Sequence, residues 1–283
     1  MKRIKRFCCL AAAAVLWVAA DAQAVKELHI FHTNDTHSRI EPYPETYSDT
    51  LLAGKGGVVR RATFIKQQRK EHKDLLLFDV GDFSQGTPFY NLFKGDVEIK
   101  AMNEMKYDAG TIGNHEFDFG LDNMARLFKM AQFPIVCSNY DFAGTVLEGI
   151  VKDYVILRRK GVRIGVFGLG PQLEGLVAKE NYEGVKFKDP LAEAQRVATL
   201  LKEEKGCDLV ICLSHLGWKT APYSDIELIE NTSHIDLVLG GHSHSYFEKP
   251  VFYHNLEGKQ VPLQQMGKSG IFVGKIVVKL KKE

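Results

Sequence analysis

The sequence predicts an α/β fold with largely parallel strand pairing, and three observations predict it. Short apolar runs with no polar alternation, Leu75 to Val80 and Leu209 to Leu213 among them, read as strands covered on both faces. Helical patterns separate the strands, and strands that alternate with helices pair in parallel across crossovers. The strands also end in Asp, Asn and His, and in such sheets polar groups gathered at the carboxyl ends of strands form the site.

The chain has 283 residues and is 45% hydrophobic, enough for one large domain with an ordinary core. No internal repeat, low-complexity segment or linker divides it. Lys2, Arg3, Lys5 and Arg6 precede the apolar run Phe7 to Ala20, and Ala22-Gln23-Ala24 follows, so residues 1–24 read as a secretory signal and residues 25–283 as one domain. The apolar run is short for a bilayer span, and Arg6-Phe7 ahead of Cys8 and Cys9 is not the small-residue context of a lipid-modified cysteine. Without the leader, 33 basic groups face 34 acidic ones. This balance gives no footprint for a nucleic-acid polymer. Cys137, Cys207 and Cys212 remain, so at most one intrachain disulfide can form, and Cys137 and Cys212 lie in apolar patterns that suit buried thiols.

Taken in order, Lys26 to Thr33 alternates as a strand, with His29 and His32 on opposite faces, and ends at Asn34-Asp35-Thr36-His37. Asp35 and His37, two apart, project to the same side. Ser38 to Gly57 is a long loop. Val58 to His72 reads as a helix burying Val58, Ala62 and Ile65, with a solvated basic face opposite. Leu75 to Val80 is a strand that ends at Gly81-Asp82, and Gly81 and Gly86 let the backbone turn closely around whatever Asp82 holds. Asp96 is placed as the cap of a helix to Met105. Tyr107 to Thr111 leads into Gly113-Asn114-His115-Glu116-Phe117-Asp118, and a helix burying Leu121, Met124, Leu127 and Phe128 follows. Phe133 to Ser138 and Val162 to Gly168 read as strands. Asp189-Pro190 opens the best-marked helix, with Gly206 past its end. Strands at Leu209 to Leu213 and Ile235 to Leu239 then end at Ser214-His215 and at Gly241-His242-Ser243-His244, and Gly270 to Leu280 closes the chain as a strand.

A lone Asn-His pair is ordinarily a turn with a surface imidazole. Here Asp35, His37, Asp82, Asn114, His215, His242 and His244 all follow strands, an oxygen and imidazole set without thiolate that is too large for one four-coordinate ion and suits two. Asp82, alone on its turn, is placed to bridge them. Two divalent ions roughly 3.5 to 4 Å apart would acidify a shared water and clamp both oxygens of an in-line phosphoryl displacement.

These motifs, in this order and spacing, resemble the calcineurin-like metallophosphoesterase superfamily. Thr33-Asn34-Asp35-Thr36-His37 and Gly113-Asn114-His115-Glu116-Phe117-Asp118 are similar to its 5'-nucleotidase branch of exported nucleotide and nucleotide-sugar hydrolases. The resemblance implies two β-sheets packed as a sandwich with helices on the outer faces. It implies one metal at Asp35, His37, Asp82 and His244, and a second at Asp82, Asn114, His215 and His242; the ligand types leave the ions open among Zn, Mn, Fe and related ones. It also implies His115 at the leaving oxygen, with Asp118 orienting and charging its ring. Glu116 is expected to support the turn, and His29, His32, His72, His234 and His254 to be ordinary side chains.

Members of the branch carry a second domain that holds phosphate and stacks the base, for which the residues up to Glu283 leave no room. The expected activity is therefore exported, periplasmic or cell-envelope phosphomonoester hydrolysis, with 5'-nucleotides first and a separate chain as a candidate source of the missing half. The alternatives are a phosphodiesterase or pyrophosphatase acting on cyclic nucleotides or nucleotide sugars, and a metal-binding subunit that is inactive without its partner.

Overall fold

The computed structural model describes residues 25–280, so the leader and its cleavage site lie outside the described residues. The strands are β1 (Lys26–Thr33), β2 (Leu76–Asp79), β3 (Ala109–Gly110), β4 (Tyr140–Asp141), β5 (Tyr154–Arg159), β6 (Val162–Leu169), β7 (Lys186–Phe187), β8 (Leu209–Ser214), β9 (Leu237–Gly240), β10 (Val251–His254), β11 (Gln260–Gln264) and β12 (Gly274–Leu280). The helices are α1 (Val58–Glu71), α2 (Pro88–Phe93), α3 (Asp96–Met105), α4 (Gly120–Met130), α5 (Pro190–Thr199) and α6 (Asp225–Glu230).

Two main sheets form, in the orders β12-β1-β2-β3 and β10-β11-β9-β8-β6-β5, beside a small β4-β7 ribbon. Their centres are parallel (β1 with β2, β2 with β3, β6 with β8, β8 with β9 and β9 with β11), and antiparallel strands flank them. Register brings Thr33 opposite Asp79 and Ser214 opposite Gly240, so the loops after these strands leave their sheets side by side.

The period of two along each strand builds the layers. Leu28, Ile30, Leu76 and Phe78 from the first sheet meet Ile164, Val166, Ile211 and Leu239 from the second. The opposite face of the first sheet, with Phe31 and Leu77, packs on Ile65 of α1, Ile99 and Met102 of α3 and Met124 of α4. The opposite face of the second, with Phe167, Val210 and Cys212, packs on Ala194 and Val197 of α5 and Leu228 of α6. Helix, sheet, sheet, helix is thus written in the parity of the apolar residues. Phe78 is fully buried between the sheets, and truncating it to Ala would cost roughly 3 to 5 kcal/mol.

The expected elements recur with five differences. Phe133 to Ser138 makes isolated bridges at Ile135 and Val136 rather than a strand. It steps from one sheet to the other, its Val136 amide donating to Gly110 O and its Ser138 amide to Gly168 O, so neither sheet gives it a ladder. Tyr107 to Thr111 keeps only β3, and the closing strand starts at Gly274. Asp96 is the first residue of α3 rather than its cap, which is Gly95, and its carboxylate pairs with Arg126. Arg61 on α1 is buried rather than solvated. Asp189 caps α5 as expected, accepting from the Leu191 and Ala192 amides at 2.8 and 3.0 Å. The thiols of Cys137, Cys207 and Cys212 are free and buried. No helix of the described residues is long and apolar enough to cross a membrane.

Candidate metal centre

The seven residues proposed from the sequence converge at the carboxyl edge of both sheets. Asp35 and His37 follow β1, Asp82 follows β2, Asn114 follows β3, His215 follows β8, and His242 and His244 follow β9. Three groups of side chains place one ligand atom each within 4.8 Å of the others: Asp35 with His37 and His244, His37 with Asp82 and His115, and Asp82 with His215 and His242. His37 and Asp82 each belong to two of these groups. Asp35 Oδ1 is 3.4 Å from His244 Nε2 and 3.8 Å from both His37 Nε2 and His215 Nε2.

The donor atoms are arranged for a cation rather than for one another. His215 Nδ1 meets Val80 O and His37 Nδ1 lies 3.3 Å from Ser84 O, so each carbonyl takes the ring proton and leaves the Nε2 lone pair facing the cluster. His37 Nε2 and His244 Nε2 face each other at 2.9 Å. His215 Nε2 and Asn114 Oδ1 are buried without a hydrogen-bond partner, although His215 Nε2 is 3.1 Å from Asp82 Oδ2. Burial disfavours charge on His215, yet the Asp82 and Asp35 carboxylates outweigh it and push its pKa up to about 10. At His215 the carboxylate field favours positive charge, whereas at His37 and His242 burial outweighs the same carboxylates and lowers the pKa. A set of carboxylate, imidazole and amide donors in such a field fits divalent ions.

The backbone is strained where the set is held. Asp35, His37, Asp82, His242 and His244 all have positive φ, between 45° and 70°, a region that L-residues visit rarely and that clusters at functional sites. Gly113 is required by closeness, since a Cβ there would lie 2.2 Å from Asp82 Oδ1 and 2.7 Å from His215 Nε2.

Beside the cluster, His115 Nδ1 is 3.0 Å from Asp118 Oδ2, and both side chains are partly exposed. Burial opposes charge on His115, but the Asp118 hydrogen bond and the Asp82 charge hold its pKa above the ordinary value. The His115 amide donates to Asp82 Oδ1 at 2.9 Å. Glu116 lies beneath, accepting from the amides of Asp82, Ser84 and Gly113 at 2.9, 3.2 and 2.7 Å. It ties the Asp82 turn to the Asn114 turn, in keeping with its expected support of that turn. The other histidines stay outside these groups. His29 stacks on His72, and His32 sits between the sheets against Gln264.

Sequence reasoning did not find three supporting residues. Asn34 donates to Asp35 Oδ2 at 2.6 Å and to Gly267 O at 2.8 Å, fixing the carboxylate; its place in Thr33-Asn34-Asp35 was the available signal. Gln265 donates to Gly241 O and accepts from Ser243 Oγ, bracing the loop of His242 and His244. Asp225 accepts from Ser214 Oγ beside His215. Gln265 and Asp225 carry no local signal, because each acts across the fold.

A sandwich of two sheets with outer helices, gathering acids, imidazoles and an amide at its strand ends, defines a metallophosphoesterase fold. The family model described as calcineurin-like phosphoesterase matches residues 28–246, and the chain belongs to that family. It is 33% identical to a snake venom 5'-nucleotidase of Crotalus adamanteus over 88% of this chain and 44% of that protein. It is 35% identical to a 2',3'-cyclic-nucleotide 2'-phosphodiesterase/3'-nucleotidase of Haemophilus influenzae over 86% and 40%. The solved structure of a 5'-nucleotidase precursor from Thermus thermophilus superposes with a TM-score of 0.79 at 31% identity, over 89% of this chain and 51% of that one. The chain spans less than half the length of these curated relatives.

Proposed function

We propose that this centre holds two divalent ions and that the chain hydrolyses phosphomonoesters, 5'-nucleotides foremost. The observation that carries the proposal is the meeting of acid and imidazole groups at Asp82, with the His115 and Asp118 pair alongside. An ion of purely structural role has no use for a partly exposed imidazole charged by a carboxylate. Asp35, His37, Asp82 and His244 would hold one ion, and Asp82, Asn114, His215 and His242 the other, with Zn, Mn or Fe suited to such donors.

When bound, the ions would supply an acidified water as nucleophile and neutralise charge on the phosphoryl oxygens. The protein's own part is positioning and proton control. The His115 amide and the imidazoles around Asp82 hold its carboxylate ionised, against the opposing effect of burial. His115 donates its Nδ1–H to the Asp118 carboxylate and presents Nε2–H to the leaving oxygen, as electrostatic stabiliser or as acid. Asn34 and Gln265 keep the Asp35 and His242 loops from turning away.

The relatives named as nucleotidases are more than twice as long as the stretch matched here. A separate chain is a candidate source of further contacts to the nucleoside. The leader-like residues 1–24 and the exported character of the 5'-nucleotidase branch support a place in the periplasm or cell envelope.

The test is hydrolysis of 5'-AMP, 2',3'-cyclic AMP, a nucleotide sugar and p-nitrophenyl phosphate by the metal-loaded mature chain. Turnover of 5'-AMP above the nonspecific ester is expected. A preference for the cyclic nucleotide would move the activity to diester cleavage, and cleavage of the nonspecific ester alone would move base recognition to another chain. A chain that binds both ions and turns over no phosphoester would refute the proposal.

A further inference from the structure

The start of α1 borders a cavity lined by cationic and aromatic side chains. A helix start leaves about four backbone amides without intrahelical partners and carries partial positive charge. At this end the Val58 amide is taken by Ile40 O at 2.8 Å and the Arg61 amide by Gly57 O at 3.2 Å, which leaves those of Val59 and Arg60. No side chain caps the helix, and no acidic residue stands in its first turn. Gly56 and Gly57 precede it at φ 81° and 91° and add no side chain of their own, while Pro42 and Ile271 pack beside them.

Arg61 is the second and independent observation. It is 8% exposed, and its Nε and Nη1 find no hydrogen-bond acceptor among the described residues. A buried guanidinium with free N–H groups is expensive unless something satisfies it. Its head lies against Gly270, where a Cβ would fall 1.7 Å from Nη1. Arg61 and Gly270 line the same cavity of about 470 Å³ with Lys55, Arg60, Phe64 and Phe272. Phe64 and Phe272 are 40% and 39% exposed, so apolar surface adjoins the cationic end.

We propose that this cavity binds a small oxyanion, phosphate or carboxylate, carried on an apolar or aromatic body. The oxygens sit on the Val59 and Arg60 amides and the Arg61 guanidinium, with Lys55 adding charge at the mouth, and the body lies on Phe64 and Phe272. Helix-start amides and a planar guanidinium are the donors such a group needs. The cavity wall at Gly270 adjoins Thr36, and the Ser269 amide donates to Asp35 O, but oxyanion binding there does not depend on the proposed catalytic activity.

The test is a titration of the zinc-loaded, isotope-labelled chain with phenylphosphonate, inorganic phosphate and benzoate, followed by backbone amide NMR shifts. Saturable shifts are expected at Gly56, Gly57, Val59 and Arg60. Arg61→Gln should weaken them by roughly tenfold to a hundredfold. Phe272→Ser should weaken phenylphosphonate by roughly threefold to tenfold and leave inorganic phosphate unchanged. Shifts confined to the His115, His215 and His242 loops would overturn the proposal, as would equal affinity in Arg61→Gln. Should Arg61→Gln fail to fold, the exposed Lys55→Ala and Phe272→Ser carry the decision, and unchanged phenylphosphonate affinity in both overturns it. Response to phosphate and phenylphosphonate without benzoate would assign the site to phosphates.

Discussion

Removing the Glu116 carboxylate should loosen both turns that it joins. Its Oε2 takes the amides of Asp82 and Gly113, and its Oε1 takes that of Ser84. Burial and the neighbouring Asp82 charge raise its pKa, while the amide donors pull the other way, and three N–H groups aimed at its oxygens suit a carboxylate. Glu116→Gln can keep its carbonyl at the Oε2 position but must turn an NH2 toward the Ser84 amide, a loss of about 1 to 3 kcal/mol. Glu116→Ala strands all three buried amides, and at roughly 1 kcal/mol or more each it should lose about 3 to 5 kcal/mol. Because Asp82 and Asn114 ride on these turns, metal affinity should fall by roughly ten to a hundredfold in Glu116→Ala. Urea unfolding of the chelated proteins and competition with a metal indicator measure the two effects separately. If Glu116→Ala keeps both stability and affinity near the parent values, the idea that this side chain fastens the turns is wrong.

Four other outcomes are expected. His115→Ala should keep its metal content and lose roughly 10² to 10⁴ in turnover; loss of metal in this variant would make His115 a ligand, a role its grouping with His37 and Asp82 also permits. Asp82→Asn should weaken both ions together, and two tightly held ions measured in that variant would exclude bridging. Chelation should lower the melting temperature, with an effect on the order of 4 kcal/mol at ions a thousandfold above Kd, and unchanged melting would argue against metal binding by the folded state. Burial holds His32 down to about 4 despite its hydrogen bond to Gln264. Its neutral form is favoured by folding, so its contribution is complete above pH 6.5 and fades as pH falls from there toward 4. Between pH 7.5 and 5 the parent should lose about 2 kcal/mol relative to His32→Gln, and parallel stability curves would exclude the effect.

How much was legible in the sequence depended on how local each signal is. Strand parity and the polar residues after each strand are local, and Asp35, Asp82, Asn114, His215, His242 and His244 could be gathered before any coordinates because parallel strands deliver their ends to one edge. Phe133 to Ser138 looked like a strand because its apolar pattern is right, but its partners belong to two different sheets. Arg61 looked solvated because helical periodicity places it beside Arg60, whereas the chain near Gly270 returns 209 residues later to cover it. Gln265 and Asp225 were invisible for the same reason. Each is one polar residue in an ordinary stretch, and only the folded chain sets it against Gly241 or Ser214.

The strained residues of the candidate centre and the hydrogen bonds around them belong to one design. Five left-handed residues at roughly 1 to 3 kcal/mol each would be a heavy burden for independent loops. The loops are not independent. The Asp35 amide donates to Gly81 O, the His37 amide to Asp82 O, the Gly241 amide to Ser214 O and the Ser269 amide to Asp35 O, while the His242 amide reaches the Asp35 carboxylate. Each turn is held by the backbone of another, so none can relax alone. This cross-bracing lets carboxylates and imidazoles stand within ligand distance in a fold whose core layers contribute nothing to the chemistry. It also locates the fragile positions: Glu116, Asn34 and Gln265, which touch no substrate in the proposed reaction, are the side chains on which the geometry of the candidate centre rests.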